Sequence, residues 1–203
     1  MSIIEPVYIY DVASGDAVSA NLHHSISAAN LLDWRNHWKP ACDDAFRTCF
    51  LANEKHRIPG SWHWEWDNKI ARMGGLLAVK GYSIVCEGMT QGLMSVITAA
   101  FGRHPEHIGK PIVYIDFIES APWNIKEFIP PGRYKGIGDV LVQAAVNLSY
   151  DEGYKGRIGL HSLSKAEGFY SNHCGMTDLG IDIKKEGLRY FEMTTSQSLE
   201  FAK

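Results

Sequence analysis

The segment that most constrains the fold is a dense apolar strand followed by a glycine-rich turn and an amphipathic helix. The run IVYIDFIE at residues 112–119 is the strongest strand pattern in the chain, and its apolar density predicts a central strand buried on both faces. After PPG at residues 130–132, apolar residues recur at helical spacing from Ile137 to Leu148. A buried strand and an amphipathic helix joined in this order predict an α/β domain.

The turn between them, RYKGIG at residues 133–138, has the composition of an anion-binding loop. The N–H groups at the start of a helix have no partner inside the helix, and the helix dipole favours negative charge there. Gly136 and Gly138 would let the backbone approach a diphosphate without a Cβ in the way. No Gly-Lys-Ser/Thr follows, so the turn is not a P-loop, and Leu141 occupies the place of the third glycine in the dinucleotide fingerprint. The alternative is a glycine-rich connection without a ligand.

Composition sets aside several other classes of protein. The chain has 203 residues, of which 45% are hydrophobic and 21% charged, as expected for one globular domain. Its net charge of −3 and the lack of a basic run disfavour nucleic-acid binding. No apolar run approaches the ~18 residues of a membrane span, and residues 1–12 lack the pattern of a secretory signal. Four scattered cysteines without a Cys-x-x-Cys pair predict free thiols and a cytoplasmic protein, and no ligand set for a metal is seen.

The remaining segments predict strands and helices in a defined order. The segment from Ala17 to Asn53 has apolar residues at helical spacing, and Ser61 is expected to cap a further helix that runs through SWHWEWD towards Arg72. The tryptophans of SWHWEWD either pack in the core or form an aromatic cage for a cation. Strands are predicted at residues 6–12, 82–87, 91–98, 157–163 and 188–193, and short helices at residues 164–173 and 196–202.

A second candidate for chemistry is the segment AEGFY at residues 166–170, which is followed by Cys174-Gly-Met176. A tyrosine hydroxyl, with an ordinary pKa near 10, is suited to giving a proton to a leaving thiolate. The alternative for Tyr170 is a core aromatic whose hydroxyl lies at the surface.

Taken in order, these segments resemble the Gcn5-related N-acetyltransferase (GNAT) superfamily. The likeness runs from Tyr82 to Met193: a hairpin (YSIVCEG and QGLMSVIT), a central strand, the RYKGIG signature with its helix, the strand RIGLHSL, and AEGFYSNHCGM. The resemblance implies a mixed, mostly antiparallel central sheet with two splayed parallel strands and helices on both faces. It also implies one domain over residues 1–203, in which residues 1–75 form the acceptor side and residues 76–203 the core.

The resemblance further implies acetyl-CoA as the co-substrate, bound in a V-shaped gap between the strands at residues 112–119 and 157–163. Backbone amides of the turn would hold the diphosphate, and the sheet edge at Ile118 and Glu119 would pair with the pantetheine arm. The residues implied in cofactor binding are Ile118, Arg133, Tyr134, Lys135, Gly136, Ile137, Gly138 and Asp139.

The same resemblance assigns Tyr170 as general acid for the CoA thiolate. Glu119 lies where a base or acceptor anchor is expected, and its alternative is a solvated carboxylate at a strand end. His161 is a second candidate base or substrate contact, unless it is a hydrogen-bonded sheet histidine. Trp123 and Asn124 would wall the acceptor pocket, or else form a plain turn with a packed tryptophan.

Three positions depart from the family pattern. Leu163 stands where the family often has an asparagine, the connection at residues 120–132 is long, and Tyr170 lies five residues before Gly175 instead of four, which predicts a local bulge. The leading hypothesis is an N-acetyltransferase acting directly on a primary amine of a small molecule or peptide, with a homodimer possible. The alternatives are a non-catalytic CoA-binding or protein-interaction module and a toxin-like enzyme that acetylates charged tRNA.

Overall fold

The computed structural model of the protein describes residues 3–202, apart from the side chain of Met73. The α-helices are α1 (Ala28–Asp33), α2 (Lys39–Leu51), α3 (Trp66–Met73), α4 (Ile137–Asp151) and α5 (Thr195–Phe201). The strands are β1 (Ile4–Asp11), β2 (Asp16–His23), β3 (Val79–Cys86), β4 (Met89–Phe101), β5 (Pro111–Ser120), β6 (Tyr134–Lys135), β7 (Ile158–Ser162), β8 (Thr177–Asp182) and β9 (Leu188–Met193).

The strands form a mixed, mostly antiparallel sheet in the order β6-β1-β2-β3-β4-β5-β7-β9-β8. β5 and β7 are parallel, and their register covers only the pairs from Val113↔Ile158 to Ile115↔Leu160. Both strands continue beyond that register, β5 to Ser120 and β7 to Ser162. This arrangement confirms the predicted fold class, in which a short parallel pair lies within an antiparallel sheet.

The contacts divide the chain into two compact units. The first contains residues 3–76, 81–94 and 118–141. In it, β1 and β2 form a hairpin, and a helical run over α1, a π-helical turn at Trp34–Trp38 and α2 follows. Ser27 caps α1 in a capping box with Asn30. Its core contains Ile9, Leu22, Trp34, Trp38, Trp66, Ile84, Leu93, Phe128, Tyr134, Ile137 and Leu141.

The second unit contains residues 77–80, 95–117 and 142–202. β9 lies between β7 and β8 in this unit and is antiparallel to both. The buried face of α4 contributes Val142, Ala145 and Val146. The other core residues include Val96, Ile112, Val113, Ile115, Ile158, Leu160, Tyr170, Phe191 and Met193.

Several predicted elements are confirmed, two local predictions are wrong, and one strand was missed. The helix from Ile137, the hairpin of β3 and β4 and the strands β5, β7 and β9 are present as predicted. Residues 17–23, predicted as helix, lie in β2, because Val18, Ala20 and Leu22 alternate with polar residues and pair with β1. Strand β8 was not predicted. Ser61 does not cap a helix, since α3 begins at Trp66, after a turn that follows Pro59-Gly60.

The predicted bulge near Tyr170 takes the form of a π-helical turn. The segment Ser164–Ala166 is a 3-10 turn, and Phe169–His173 is a π-helix. A π-helical turn accommodates one residue more than an α-helical turn, and such turns often occur at functional sites. The extra residue between Tyr170 and Gly175 is therefore absorbed by a local widening of the helix.

No helix within residues 3–202 is both long and apolar enough to span a membrane.

Candidate active site

The turn before α4 has the backbone form expected for an anion site. Gly136 has φ +87°, and a Cβ placed on it would meet no atom within 4 Å. β6 precedes it and pairs with β1 through Tyr10↔Lys135. The first bond of the helix runs from the Val140 N–H to the Gly136 carbonyl (3.0 Å), so the N–H groups of the first turn have no acceptor inside the helix. Space and donors are thus available together at this turn.

The side chains of the turn have mostly structural partners. The Tyr134 ring is buried, and its hydroxyl donates to Glu87 Oε2 (3.1 Å). The Arg133 guanidinium donates to the same oxygen (2.5 Å) and lies 4.8 Å from the centre of the Tyr134 ring. The Lys135 side chain is exposed, with Nζ 5.7 Å from the Tyr10 ring centre. These contacts fix the direction of the turn. The Arg133 and Tyr134 N–H groups donate to the Trp123 carbonyl and to Asn124 Oδ1, so the turn offers a ligand its N–H groups only from Gly136 onward.

Three further residues of the first unit were predicted to bind the cofactor: Ile118, Glu119 and Asp139. Ile118 and Glu119 are in the last part of β5, past the residues that pair with β7, so the backbone edge predicted for the pantetheine arm is part of a strand. Asp139 is the acidic residue of the first turn of α4.

The Glu119 carboxylate is held by two donors from the segment that precedes and begins α3. Trp66 Nε1 donates to Oε2 (2.6 Å), and the Ser61 hydroxyl also bonds to the carboxylate. Burial raises the pKa of Glu119 to about 7, while the Ser61 and Trp66 hydrogen bonds and the Lys69 charge lower it. A carboxylate with a pKa near 7 is ionised in part at neutral pH and can accept a proton there.

Glu119 lines a small cleft in the first unit, which we call the tryptophan cleft. Its volume of about 20 Å³ is enough for one water molecule. The polar lining residues are Lys39, Cys42, Ser61, Glu119 and Ser120, and the other lining residues are Trp34, Trp38, Pro59, Trp62, Trp64, Pro122, Ile125 and Phe128. Sequence reasoning placed substrate contacts on the loop after β5, and it did not connect this loop with α2 or with the tryptophans.

Trp123 and Asn124 are not among the residues that line the tryptophan cleft. Trp123 Nε1 and Asn124 Nδ2 both donate to Gln91 Oε1, at 2.9 and 3.1 Å. Asn124 Oδ1 accepts the backbone N–H of Tyr134 (3.1 Å). The pair therefore connects the loop after β5 to β4 and to the glycine turn, and neighbouring residues of the same loop line the cleft instead.

His161, in the second unit, is part of a hydrogen-bonded network. Its Nδ1 bonds to the Tyr114 hydroxyl (2.7 Å) and its Nε2 to Asp182 Oδ2 (3.0 Å), which also accepts from Arg103. Only 3% of the His161 side chain is exposed, and burial lowers its pKa. Both ring nitrogens are occupied, so the structure favours the sheet-histidine alternative over substrate contact.

Tyr170, also in the second unit, lies in the π-helical turn and is 5% exposed. Its ring is 6.0 Å from that of Phe191 and 5.2 Å from that of Phe169. Burial raises its pKa above the ordinary value of 10, so the phenol remains protonated at neutral pH. Within residues 3–202 its hydroxyl has no hydrogen-bond partner. The buried ring agrees with a core aromatic, and the hydroxyl without a partner agrees with a proton donor. The structure is therefore consistent with both alternatives for Tyr170.

Among the described residues, no group of three or more His, Cys, Asp or Glu side chains is arranged to hold a metal ion. The four cysteines are free thiols, and burial raises the pKa of Cys42 in the tryptophan cleft to about 12.

Solved structures share this fold at low sequence identity. The GNAT domain of S. lividans PAT matches with a TM-score of 0.56 at 12% identity, covering 94% of this chain and 96% of that one. PaiA N-acetyltransferase from Thermoplasma acidophilum, in complex with coenzyme A, matches with a TM-score of 0.53 at 12% identity, covering 87% and 99%. Aminoglycoside acetyltransferase AAC(6')-Ib, in complex with coenzyme A and kanamycin, matches at 0.51 and 15% identity, covering 91% and 99%. No protein-family model and no curated protein matches the chain.

Proposed function

We propose that this chain, which has the fold of the Gcn5-related N-acetyltransferases, transfers the acetyl group of acetyl-CoA to a primary amine. The observation that carries the proposal is the open Gly136 turn at the start of α4. An anion at this position would meet unpaired N–H groups and the positive end of the helix dipole, with no Cβ in its way.

In this proposal, backbone amides from Gly136 to Asp139 hold the diphosphate of acetyl-CoA, since the Tyr134 N–H already donates to Asn124 Oδ1. Hydrogen bonds to a charged group are worth about 1.5–3 kcal/mol each, so a few of them account for firm binding. The strand edge at Ile118 and Glu119 pairs with the pantetheine arm, since β5 continues here beyond its register with β7. Arg133 positions the turn instead, because its guanidinium is paired with Glu87 and its backbone N–H donates to the Trp123 carbonyl.

The proposed reaction is direct transfer in a ternary complex. The amine nitrogen attacks the thioester carbonyl carbon, an N–C bond forms, and the C–S bond breaks. The Glu119 carboxylate takes the proton that the nitrogen loses, and the Tyr170 hydroxyl gives a proton to the departing CoA sulfur. Proton exchange with water then restores both residues, and the products are the N-acetylated amine and free CoA.

The environment of Glu119 supports its part as base. Ser61 and Trp66 bond to the charged form and orient it, while burial raises its pKa to about 7. A base with a pKa near the working pH combines a substantial ionised fraction with useful basicity. His161 has no free ring nitrogen for this part, so we assign it to the structure of the second unit.

The test is release of free CoA thiol on mixing the protein with acetyl-CoA and a panel of primary amines, with calorimetry of acetyl-CoA binding alongside. We expect both binding and turnover. Firm binding without turnover on the panel would favour the non-catalytic CoA-binding alternative, and no binding at all would refute the proposal.

A further inference from the structure

A groove of about 520 Å³ lies within the second unit, and it is formed by none of the residues assigned to acetyl-CoA or to catalysis. Its walls are Arg103 and Pro105 from the loop after β4, residues 179–184 from β8 and the turn that follows, and Tyr190 from β9. We call it the β8 groove. Its volume falls in the range of ~300–1,000 Å³ that is usual for small-molecule sites.

One part of the β8 groove is apolar. Leu179, Ile181, Ile183 and Pro105 all line it. Ile181 is 64% exposed and Ile183 is 89% exposed, so two large aliphatic side chains lie close together in the sequence and face water. Exposed apolar groups that line a groove together are typical of a binding surface. A ligand with a hydrocarbon body would cover them.

The other part of the groove contains a fixed guanidinium. Arg103 lies 4.5 Å above the centre of the Tyr190 ring, and its Nη1 donates to Asp182 Oδ2 (2.5 Å). Its backbone N–H donates to the buried Glu192 carboxylate (2.7 Å). Within residues 3–202, Nε and Nη2 have no hydrogen-bond acceptor, and half of the side chain is exposed. These two nitrogens form the edge of a guanidinium that binds a carboxylate through two parallel hydrogen bonds.

The charges that line the groove leave one positive charge in excess. Asp182 is the only lining carboxylate, and both of its oxygens are occupied. Oδ2 bonds to Arg103 and to His161 Nε2, and Oδ1 accepts the Lys184 N–H (3.0 Å). The Lys184 ammonium lines the groove and forms no ion pair within the described part of the chain. Arg103 and Lys184 against Asp182 therefore balance one negative charge on a ligand.

The neighbouring carboxylates do not cancel this excess. Asp178 is paired with Arg189 (2.8 Å). Glu192 is fully buried and accepts backbone N–H groups from the loop after β4. Glu106 and Glu186 are exposed and do not line the groove, so water and salt screen them. A single anionic group in the groove would thus be attracted to the lining.

We infer that the β8 groove binds an aliphatic monocarboxylate, whose carboxylate lies on Arg103 and Lys184 and whose methylene chain covers the exposed isoleucines. The inference goes beyond the proposed acetyl transfer and does not depend on it, because the two sites share no residue. A neutral alcohol of the same length would leave the guanidinium edge without an acceptor. A carboxylate without a chain would leave the apolar wall uncovered.

The first experiment is calorimetric titration of the protein with hexanoate, hexan-1-ol and acetate at neutral pH. We expect the Kd for hexanoate to be at least ~10-fold lower than the Kd for either of the others, because only hexanoate satisfies both parts of the groove. An equal or lower Kd for hexan-1-ol or acetate, or no binding of hexanoate, would overturn the inference.

The second experiment locates the binding of hexanoate with matched pairs of exposed residues. Lys184→Gln and Ile183→Ser should each raise the Kd by ~5-fold or more. Lys185→Gln and Leu199→Ser should leave it unchanged, because Lys185 and Leu199 are exposed and lie outside the groove. Hexanoate binding that is unaltered in folded Lys184→Gln and Ile183→Ser would place the ligand elsewhere and refute the inference.

Arg103→Lys tests the guanidinium edge itself. Lysine keeps a positive charge that can pair with Asp182 but has no planar edge with two parallel donors. We expect the Kd for hexanoate to rise ~10-fold, with circular dichroism showing that the variant is folded. A folded Arg103→Lys protein with an unchanged Kd would contradict the assignment of the carboxylate to Arg103, and the Lys184 and Ile183 pairs still decide the inference if this variant does not fold.

Discussion

Replacing Glu119 with glutamine should make the protein more stable and less active. The pKa of Glu119 rises from 4.5 to about 7 on folding, chiefly because of burial. The folded state therefore holds this proton more tightly than the unfolded state, and keeping the carboxylate ionised costs stability as the pH rises. Glutamine has no charge to bury, and its amide oxygen can still accept the hydrogen bonds of Trp66 and Ser61.

The size of the effect follows from the two pKa values. Each pKa unit corresponds to about 1.4 kcal/mol, so the ionised carboxylate costs ~3 kcal/mol at pH 8, above both values. At pH 5, just above the unfolded value, the cost is only about 1 kcal/mol. Glu119→Gln should accordingly raise the free energy of unfolding by about 3 kcal/mol at pH 8 and by about 1 kcal/mol at pH 5.

Urea denaturation followed by tryptophan fluorescence at the two pH values measures this difference. Glu127→Gln is the control, because Glu127 is an exposed carboxylate whose only ion pair, within residues 3–202, is with Lys126. It should change stability by less than ~0.5 kcal/mol at either pH. In turnover, Glu119→Gln should lower kcat by ~10²-fold or more, and the unchanged protein should gain activity as the pH rises through about 7. A stability gain that is the same at both pH values, or a loss at pH 8, would refute the reasoning.

Three further predictions test other parts of the structure. Tyr170→Phe should lower kcat by ~10²-fold while leaving the acetyl-CoA Kd unchanged by calorimetry, and an unaltered kcat would remove the hydroxyl from the mechanism. Gly136→Ala and Gly153→Ala each force a side chain into positive φ and should each cost about 1 kcal/mol in urea denaturation. Only Gly136→Ala should also weaken acetyl-CoA binding, by ~10-fold, and equal Kd values for the two variants would exclude the turn as the diphosphate site. Burial lowers the pKa of His161, so the protein should lose stability as the pH falls below about 6.5. His161→Gln should reduce that loss between pH 7.5 and 5.5 in urea denaturation, and an equal loss in both proteins would contradict the assignment.

The sequence predicts the strands and helices in which the spacing of apolar residues matches the spacing of the buried positions. β5 has no exposed residue and α4 has one buried face, so their apolar residues directly show the strand and helix periods. β2 was predicted as helix because its alanines and short polar residues suit a helix as well as a strand. Its pairing with β1 decides the outcome, and that pairing is a property of the hairpin rather than of either segment alone.

The π-helical turn at Tyr170 shows the opposite case, in which spacing alone was informative. One residue too many between Tyr170 and Gly175 had to be accommodated, and the helix does so by widening between Phe169 and His173. Counting residues between two fixed points predicts that a bulge exists. It does not predict the direction of the tyrosine hydroxyl, because that depends on packing against Phe191 on another strand.

The secondary structure of the tryptophan-rich segment could not be predicted from the sequence, because its three tryptophans make different contacts in the fold. Helical spacing puts Trp62 and Trp66 on one face, and strand spacing groups Trp62 with Trp64. In the structure the helix begins only at Trp66, which is buried and holds Glu119 through its indole N–H. Trp62 and Trp64 precede that helix and line the cleft. The start of the helix thus separates a tryptophan that donates to Glu119 from two that line the cleft, and no single periodic pattern describes all three.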